Sequence, residues 1–155
     1  CRINGLYSRS PSRIILDSKL KVNINSKIFK EAKKFKTIIF YNKIDKKKIN
    51  TLKKHNVKFY KVNINKDGSF NLKDLLTKVK KLNFSRIMIE SGIHLIKNLL
   101  KNNLINEFKI FISKKNLTNK GRGNAKFLIK LLKNKRKVIE KVNLFDDKLF
   151  SYKIK

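Results

Sequence analysis

The sequence contains one cysteine and one proline in 155 residues, and ten acidic side chains against 41 lysines and arginines. The single thiol, Cys1, excludes an internal disulfide and fits a reducing compartment, so a cytoplasmic protein is expected. No apolar run approaches the roughly 20 residues that cross a bilayer, and the first residues lack the apolar segment of a secretory signal. His-x-Glu and Pro-Cys-x-x-Cys patterns are both absent, which excludes zinc deaminase chemistry and leaves no metal site to expect. Zinc-finger, helix-turn-helix and RNA-recognition signatures are absent as well.

The scarcity of acids leaves a formal net charge of +31, and such a charge attracts polyanions. The lysines, however, are interleaved with asparagine and isoleucine along the whole chain, as an AT-rich coding bias would scatter them. Arginine, the residue suited to bidentate base and phosphate readout, is sparse. A solvated lysine-rich surface is therefore expected, with anionic ligands favoured by steering, and no specific nucleic-acid partner. With 41% hydrophobic residues, positions 1–155 are long enough to bury a core and are expected to form a single domain.

What is present is organised around residues 86–113, RIMIESGIHLIKNLLKNNLINEFKIFIS. Ile87, Met88 and Ile89 are an apolar run too short for a helix, which predicts a buried strand. Leu95, Leu99 and Leu100 recur at helical spacing, with Lys97, Lys101 and Asn102 on the other face. Phe108, Ile110 and Ile112 alternate and predict a return to strand. Gly92 then stands where strand hands over to helix. A helix N-terminus offers unpaired N–H groups and partial positive charge to a phosphate, and a glycine there lets a ligand approach the backbone. Glu90, at the carboxyl end of the predicted strand, would point into the crevice where open α/β sheets bind ligands. The plain alternative is that Ser91 caps the helix and Gly92 makes the turn.

The remaining elements follow the same logic. Residues 1–12 are irregular, and Arg13 to Asp17 is a short apolar strand stopping at Asp17-Ser18, which places a hydroxyl at the sheet's carboxyl edge or simply closes a turn. Ser26 to Lys34 suits a helical turn, and Lys36 to Tyr41 a strand by its β-branched and aromatic content. Asp45 to His55 suits a helix with Ile49 and Leu52 inward. Val57 to Val62 alternates as a strand, and Asn71 can cap a helix through Leu82 with Leu72, Leu75, Leu76 and Val79 as its apolar face. Lys114 to Asn124 is a basic loop with Gly121 and Gly123, and Ala125 to Leu132 is a short apolar segment. Arg136 to Val142 and Lys148 to Ile154 predict an antiparallel pair around Phe145-Asp146-Asp147. The expected class is α/β, a mainly parallel central sheet with flanking helices and a C-terminal antiparallel hairpin.

Three stretches, in order, resemble the C-terminal reductase domain of the bifunctional riboflavin-biosynthesis deaminase/reductase. PSRIILDSKLKVNINSKIF, from Pro11, resembles that family's strand ending in Leu-Asp-Ser. Residues 86–113 resemble its Val-Glu-Gly-Gly turn, the helix after it and the Leu-Val-Asp-Glu lead into the next strand. KVNLFDDKLFSYKI, from Lys141, resembles its closing hairpin with a Gly-Asp-Asp turn. The opening Cys1-Arg2-Ile3 is similar to the end of the family's Asp-Pro-x-Leu-x-x-Arg segment.

The resemblance implies a dihydrofolate-reductase-like fold, incomplete at the N-terminus. It also implies NADPH-dependent reduction of 5-amino-6-(5-phosphoribosylamino)uracil to the ribitylamino compound, by hydride transfer to the ribose anomeric carbon. By position, Arg2 and Glu90 would contact substrate and Ser18 the NADPH. Gly92, Ile93, His94, Leu95, Ile96, Lys97 and Asn98 would form the cofactor loop and helix start, and a homodimer is implied. No catalytic residue follows from the resemblance. Ser91 replaces the family's first turn glycine, His94 its usual threonine, and Ser113-Lys114-Lys115 its Ala-Pro-Lys stretch. His94 is equally a surface histidine, and His55 is read as structural. Because the family's opening strand, helix and Asp-Pro segment have no counterpart here, a fragment inactive by itself is expected. Rival readings are an oxidoreductase for another pterin or pyrimidine substrate, a non-enzymatic remnant, and a basic nucleic-acid module.

Overall fold

In the computed structural model, residues 10–114, 126–142 and 144–155 are described. They divide into two compact units, Cys1–Ile87 and Met88–Lys155. Arg2, the rest of residues 1–9, and Gly121, Gly123 and Ala125 lie outside the described residues.

The first unit is built on strands β1 (Arg13–Leu16), β2 (Thr37–Tyr41) and β3 (Val57–Lys61), all parallel and in that order across the sheet. Ile15 pairs with Ile39 and Ile39 with Phe59, which fixes the register. Ile38, Ile39 and Phe40 are all fully buried, because β2 is the middle strand and helices cover both of its faces. On one face, Phe29, Ala32, Ile49 and Leu52 pack with Ile39, Val57 and Leu20. These residues come from helix α1 (Lys27–Lys30), the turn after it, and helix α2 (Lys46–Lys53). On the other face, Leu75 and Val79 of helix α3 (Leu72–Lys81) pack with Ile38, Phe40 and Val62. Burying each such side chain contributes about 1.5–3 kcal/mol.

Capping residues set the helix limits. The Asp45 carboxylate accepts from Lys48 N–H and opens α2, and the Asn71 carbonyl accepts from Asp74 N–H at 3.1 Å and opens α3. Asparagine also takes the left-handed position after the helices, a role usually given to glycine. Asn56 follows α2 at φ 65 and Asn83 follows α3 at φ 63. The expected elements of this unit, from the Arg13 strand to the Asn71-capped helix, are all present within a residue or two of their expected limits.

The second unit holds helix α4 (Ile93–Lys101), strand β4 (Glu107–Ile112), helix α5 (Lys126–Leu132) and strands β5 (Arg136–Ile139) and β6 (Lys148–Lys153). Asn103, at φ 52, ends α4, with Leu104 N–H reaching back to Leu99 C=O at 2.9 Å. The sheet order is β4-β6-β5, antiparallel throughout. Leu100, Leu128, Leu132 and Ile154 form its core, with Phe108, Ile110 and Tyr152 packed against them.

The α/β class, the parallel sheet and the closing antiparallel pair are as the sequence indicates. Two expectations are corrected. Ile87, Met88 and Ile89 form no strand and are exposed, Met88 at 72%. An apolar run becomes a strand only beside a sheet edge that supplies ladder partners, and among the described strands β1 pairs only with β2, and β3 only with β2. Strand β4 is not the second parallel strand of a strand–helix–strand unit; it pairs with β6 in the opposite direction. Two-residue alternation fixes a strand's faces but not its partner's direction.

Candidate cofactor and substrate site

At the carboxyl edge of the parallel sheet the chain leaves β1 through Asp17-Ser18 in a tight loop. Asp17 N–H donates to Phe40 C=O at 3.0 Å, and the Asp17 carboxylate accepts from Val22 N–H at 2.7 Å. The loop turns at Leu20, which is 1% exposed and sits at φ 52. A non-glycine residue in that region is held there by its surroundings, here by burial against Phe29 and Leu52 and by the Lys48 ammonium donating to Leu20 C=O.

Ser18 is half-buried, and its carbonyl accepts two backbone bonds, from Asn42 N–H at 3.1 Å and Lys43 N–H at 2.8 Å. The Asn42 amide in turn donates to Val62 C=O at 2.9 Å, tying the ends of all three strands together. Asn71 N–H donates to Asn63 C=O and Asn63 N–H to the Asp74 carboxylate, which extends the same edge to α3. The Lys78 ammonium and the Asn63 amide hold the Asp74 carboxyl below the usual aspartate range. Sequence reasoning placed Ser18 at this edge but missed Asn42 and Lys43. The available signal was the end of the KTIIFY strand, since parallel strands gather ligand contacts at their carboxyl ends.

In the second unit, Gly92 is the N-cap of α4, at φ −72 and ψ 168, with no side chain capping the helix. The cap is therefore not Ser91, whose hydroxyl donates to Gly92 C=O at 3.4 Å. The first helical bond runs from Ile96 N–H to Gly92 C=O. The N–H groups of Gly92, Ile93, His94 and Leu95 precede it and have no acceptor inside the helix. A Cβ built on Gly92 would meet nothing within 4 Å, and its φ suits any residue. The chain's own packing does not call for glycine here, so the open space is available to a ligand's phosphates.

The other expected contacts on α4 have diverse surroundings. His94 is exposed on the first turn. Ile96 packs on the second unit's core, the Lys97 ammonium lies 5.6 Å from the centre of the Phe127 ring, and Asn98 C=O accepts from the Asn102 side chain. Glu90 is exposed and, with no strand at 87–89, does not sit at a strand's carboxyl end. Arg2 lies outside the described residues. The structure thus gathers Gly92 to Asn98 on one helix start and Ser18 with Asn42 and Lys43 on one sheet edge, each within its own unit.

A cavity of about 570 Å³ in the second unit is lined by Glu107, Arg136, Glu140, Ser151 and Lys153, among others. None of the expected site residues lines it. Glu140 accepts from the Ser151 hydroxyl at 2.6 Å and the Lys109 ammonium at 3.1 Å, which hold its carboxyl below the ordinary range. No cluster of His, Cys, Asp and Glu among the described residues could hold a metal ion, and no described helix is long and apolar enough to cross a membrane.

A parallel α/β edge and an uncapped, open helix start are the features of a protein that binds an anionic ligand at its backbone, and the fold has a solved counterpart. The chain is similar to the crystal structure of a pyrimidine reductase-like protein from Corynebacterium diphtheriae, with a TM-score of 0.65 at 13% identity over 92% of this chain and 60% of that one. That likeness shows the fold. Residues 2–141 match the model of the RibD C-terminal domain, and the chain belongs to that family. It is also 30% identical over 107 residues to the riboflavin biosynthesis protein RibD of Aquifex aeolicus (strain VF5), covering 69% of this chain and 28% of that protein.

Proposed function

We propose that the chain is a partial reductase domain of riboflavin biosynthesis, a cytoplasmic enzyme that reduces 5-amino-6-(5-phosphoribosylamino)uracil to the ribitylamino compound with NADPH. The family match over residues 2–141 supports the class. The observation that carries the cofactor is Gly92, a helix cap whose side-chain space is open and whose backbone geometry needs no glycine. Such a helix start fits a dinucleotide's phosphates, accepted by the amides of Gly92, Ile93, His94 and Leu95.

When bound, the nicotinamide supplies a hydride to the anomeric carbon of the ring-opened ribosylamine. The chain's part is binding and orientation. Ser18, on a loop fixed by Asp17 and Lys48, holds the cofactor. Arg2 engages the substrate's phosphate, and Glu90 its polar groups. Ile93 to Asn98 carry the cofactor against α4, and the active form is a homodimer. The test is turnover of the phosphoribosylamino-pyrimidine by the protein that carries this chain, followed by loss of reduced-nicotinamide absorbance. NADPH-dependent product supports the reading; binding of the pyrimidine without any dinucleotide binding would overturn it.

A further inference from the structure

We propose that Lys43 makes this site select a dinucleotide with a 2′-phosphate over one without it, acting beside Ser18 at the carboxyl edge of the parallel sheet. The inference rests on reading Ser18 as a cofactor contact. Ser18 C=O receives Lys43 N–H at 2.8 Å, so whatever meets the Ser18 hydroxyl lies near the root of the Lys43 side chain.

The two residues are held in place before any ligand arrives. The Asp17 carboxylate fixes the β1 loop through Val22 N–H, buried Leu20 anchors its turn, and the Asn42 amide ties the β2 loop to Val62. Preorganisation of this kind removes part of the ordering cost of binding.

The edge is also unbalanced in charge. Its carboxylates are already engaged, Asp17 by Val22 N–H and Asp74 by Lys78 and Asn63 N–H. Lys43 is exposed, and among the described residues its ammonium has no carboxylate partner. Lys19, next to Ser18, is exposed too. A hydroxyl flanked by lysines suits a phosphomonoester, which carries about −1.5 to −2 at neutral pH. A ribose 2′-hydroxyl in the same place would gain no charge interaction.

The experiment titrates NADPH and NADH into wild type, Lys43→Gln and Lys53→Gln at one ionic strength, with thermal midpoints recorded for each. Lys53 is a matched control: it is exposed at the C-terminal end of α2, where the chain returns toward the start of β3. Lys43→Gln should raise the NADPH dissociation constant by about tenfold or more, as expected for a lost charge-assisted contact. NADH affinity should be unchanged, Lys53→Gln should change neither, and Lys43→Arg should restore most NADPH affinity. Equal losses in the Lys43 and Lys53 variants would reduce the effect to the protein's overall field and overturn the proposal. Equal losses for both dinucleotides on Lys43→Gln, or none for either, would overturn it while leaving the reductase reading standing. A folded wild type that binds neither dinucleotide would sink that reading and this inference together.

Discussion

Replacing Gly92 by valine separates the two roles a glycine can have at a helix start. For folding, the expected change is small. Gly92 sits in extended backbone at φ −72 and ψ 168, which a β-branched residue adopts readily, and its Cβ position meets nothing within 4 Å. Valine is a poorer N-cap than glycine, a loss of at most about 1 kcal/mol. Reduced freedom of the unfolded chain returns about 0.4–1 kcal/mol, the range measured for removing a glycine where the native backbone allows it. The net change should lie within about 1 kcal/mol, a shift of a few degrees in thermal midpoint for a chain of this size. For binding, the side chain would stand where the phosphates approach the amides of Ile93 to Leu95. A tenfold or greater rise in the NADPH dissociation constant is expected, equivalent to about 1.4 kcal/mol. Thermal unfolding and NADPH titration on the same preparation read the two effects separately. A protein several kcal/mol less stable with normal NADPH affinity would show that Gly92 serves the turn alone, and the cofactor assignment would fail.

Asn71→Ala should destabilise the first unit by about 1 kcal/mol, because the Asn71 carbonyl caps Asp74 N–H and alanine cannot; denaturant midpoints check this, and an unchanged midpoint would refute the cap. Glu140 titrates below the ordinary range when folded because Ser151 and Lys109 favour its charged form. Its stabilising contribution is therefore present above the unfolded carboxyl value, about 4.3, and is lost as pH falls through the lower folded value. Glu140→Gln should flatten that acid limb of the stability curve. A limb of the same steepness in the variant would refute the Ser151–Glu140–Lys109 network.

Much of the first unit was legible because its signals are local. Thr37 to Tyr41 is a β-branched and aromatic run, Asn71 and Asp45 are helix caps, and Leu72, Leu75 and Val79 recur at helical spacing. Ile87 to Ile89 carries an equally strong apolar signal but stays exposed, since a strand depends on a free neighbouring edge that no local pattern reveals. The antiparallel partner of β4 was hidden for a related reason, as Phe108, Ile110 and Ile112 read alike in either direction. At the site, Gly92 stood out because glycine is rare here. Lys43 did not, because lysine is everywhere in this chain, and only the parallel register that sets it beside Ser18 distinguishes it.

The central claim is a hydride delivered from a nicotinamide to a sugar carbon. Its most direct test supplies NADPH deuterated at the transferred position of the nicotinamide ring to the protein that carries this chain, together with 5-amino-6-(5-phosphoribosylamino)uracil. The account predicts a ribitylamino product with deuterium at the carbon that was anomeric in the substrate, and with none when NADPH is omitted. An unlabelled reduced product, or a label at any other carbon, would contradict it.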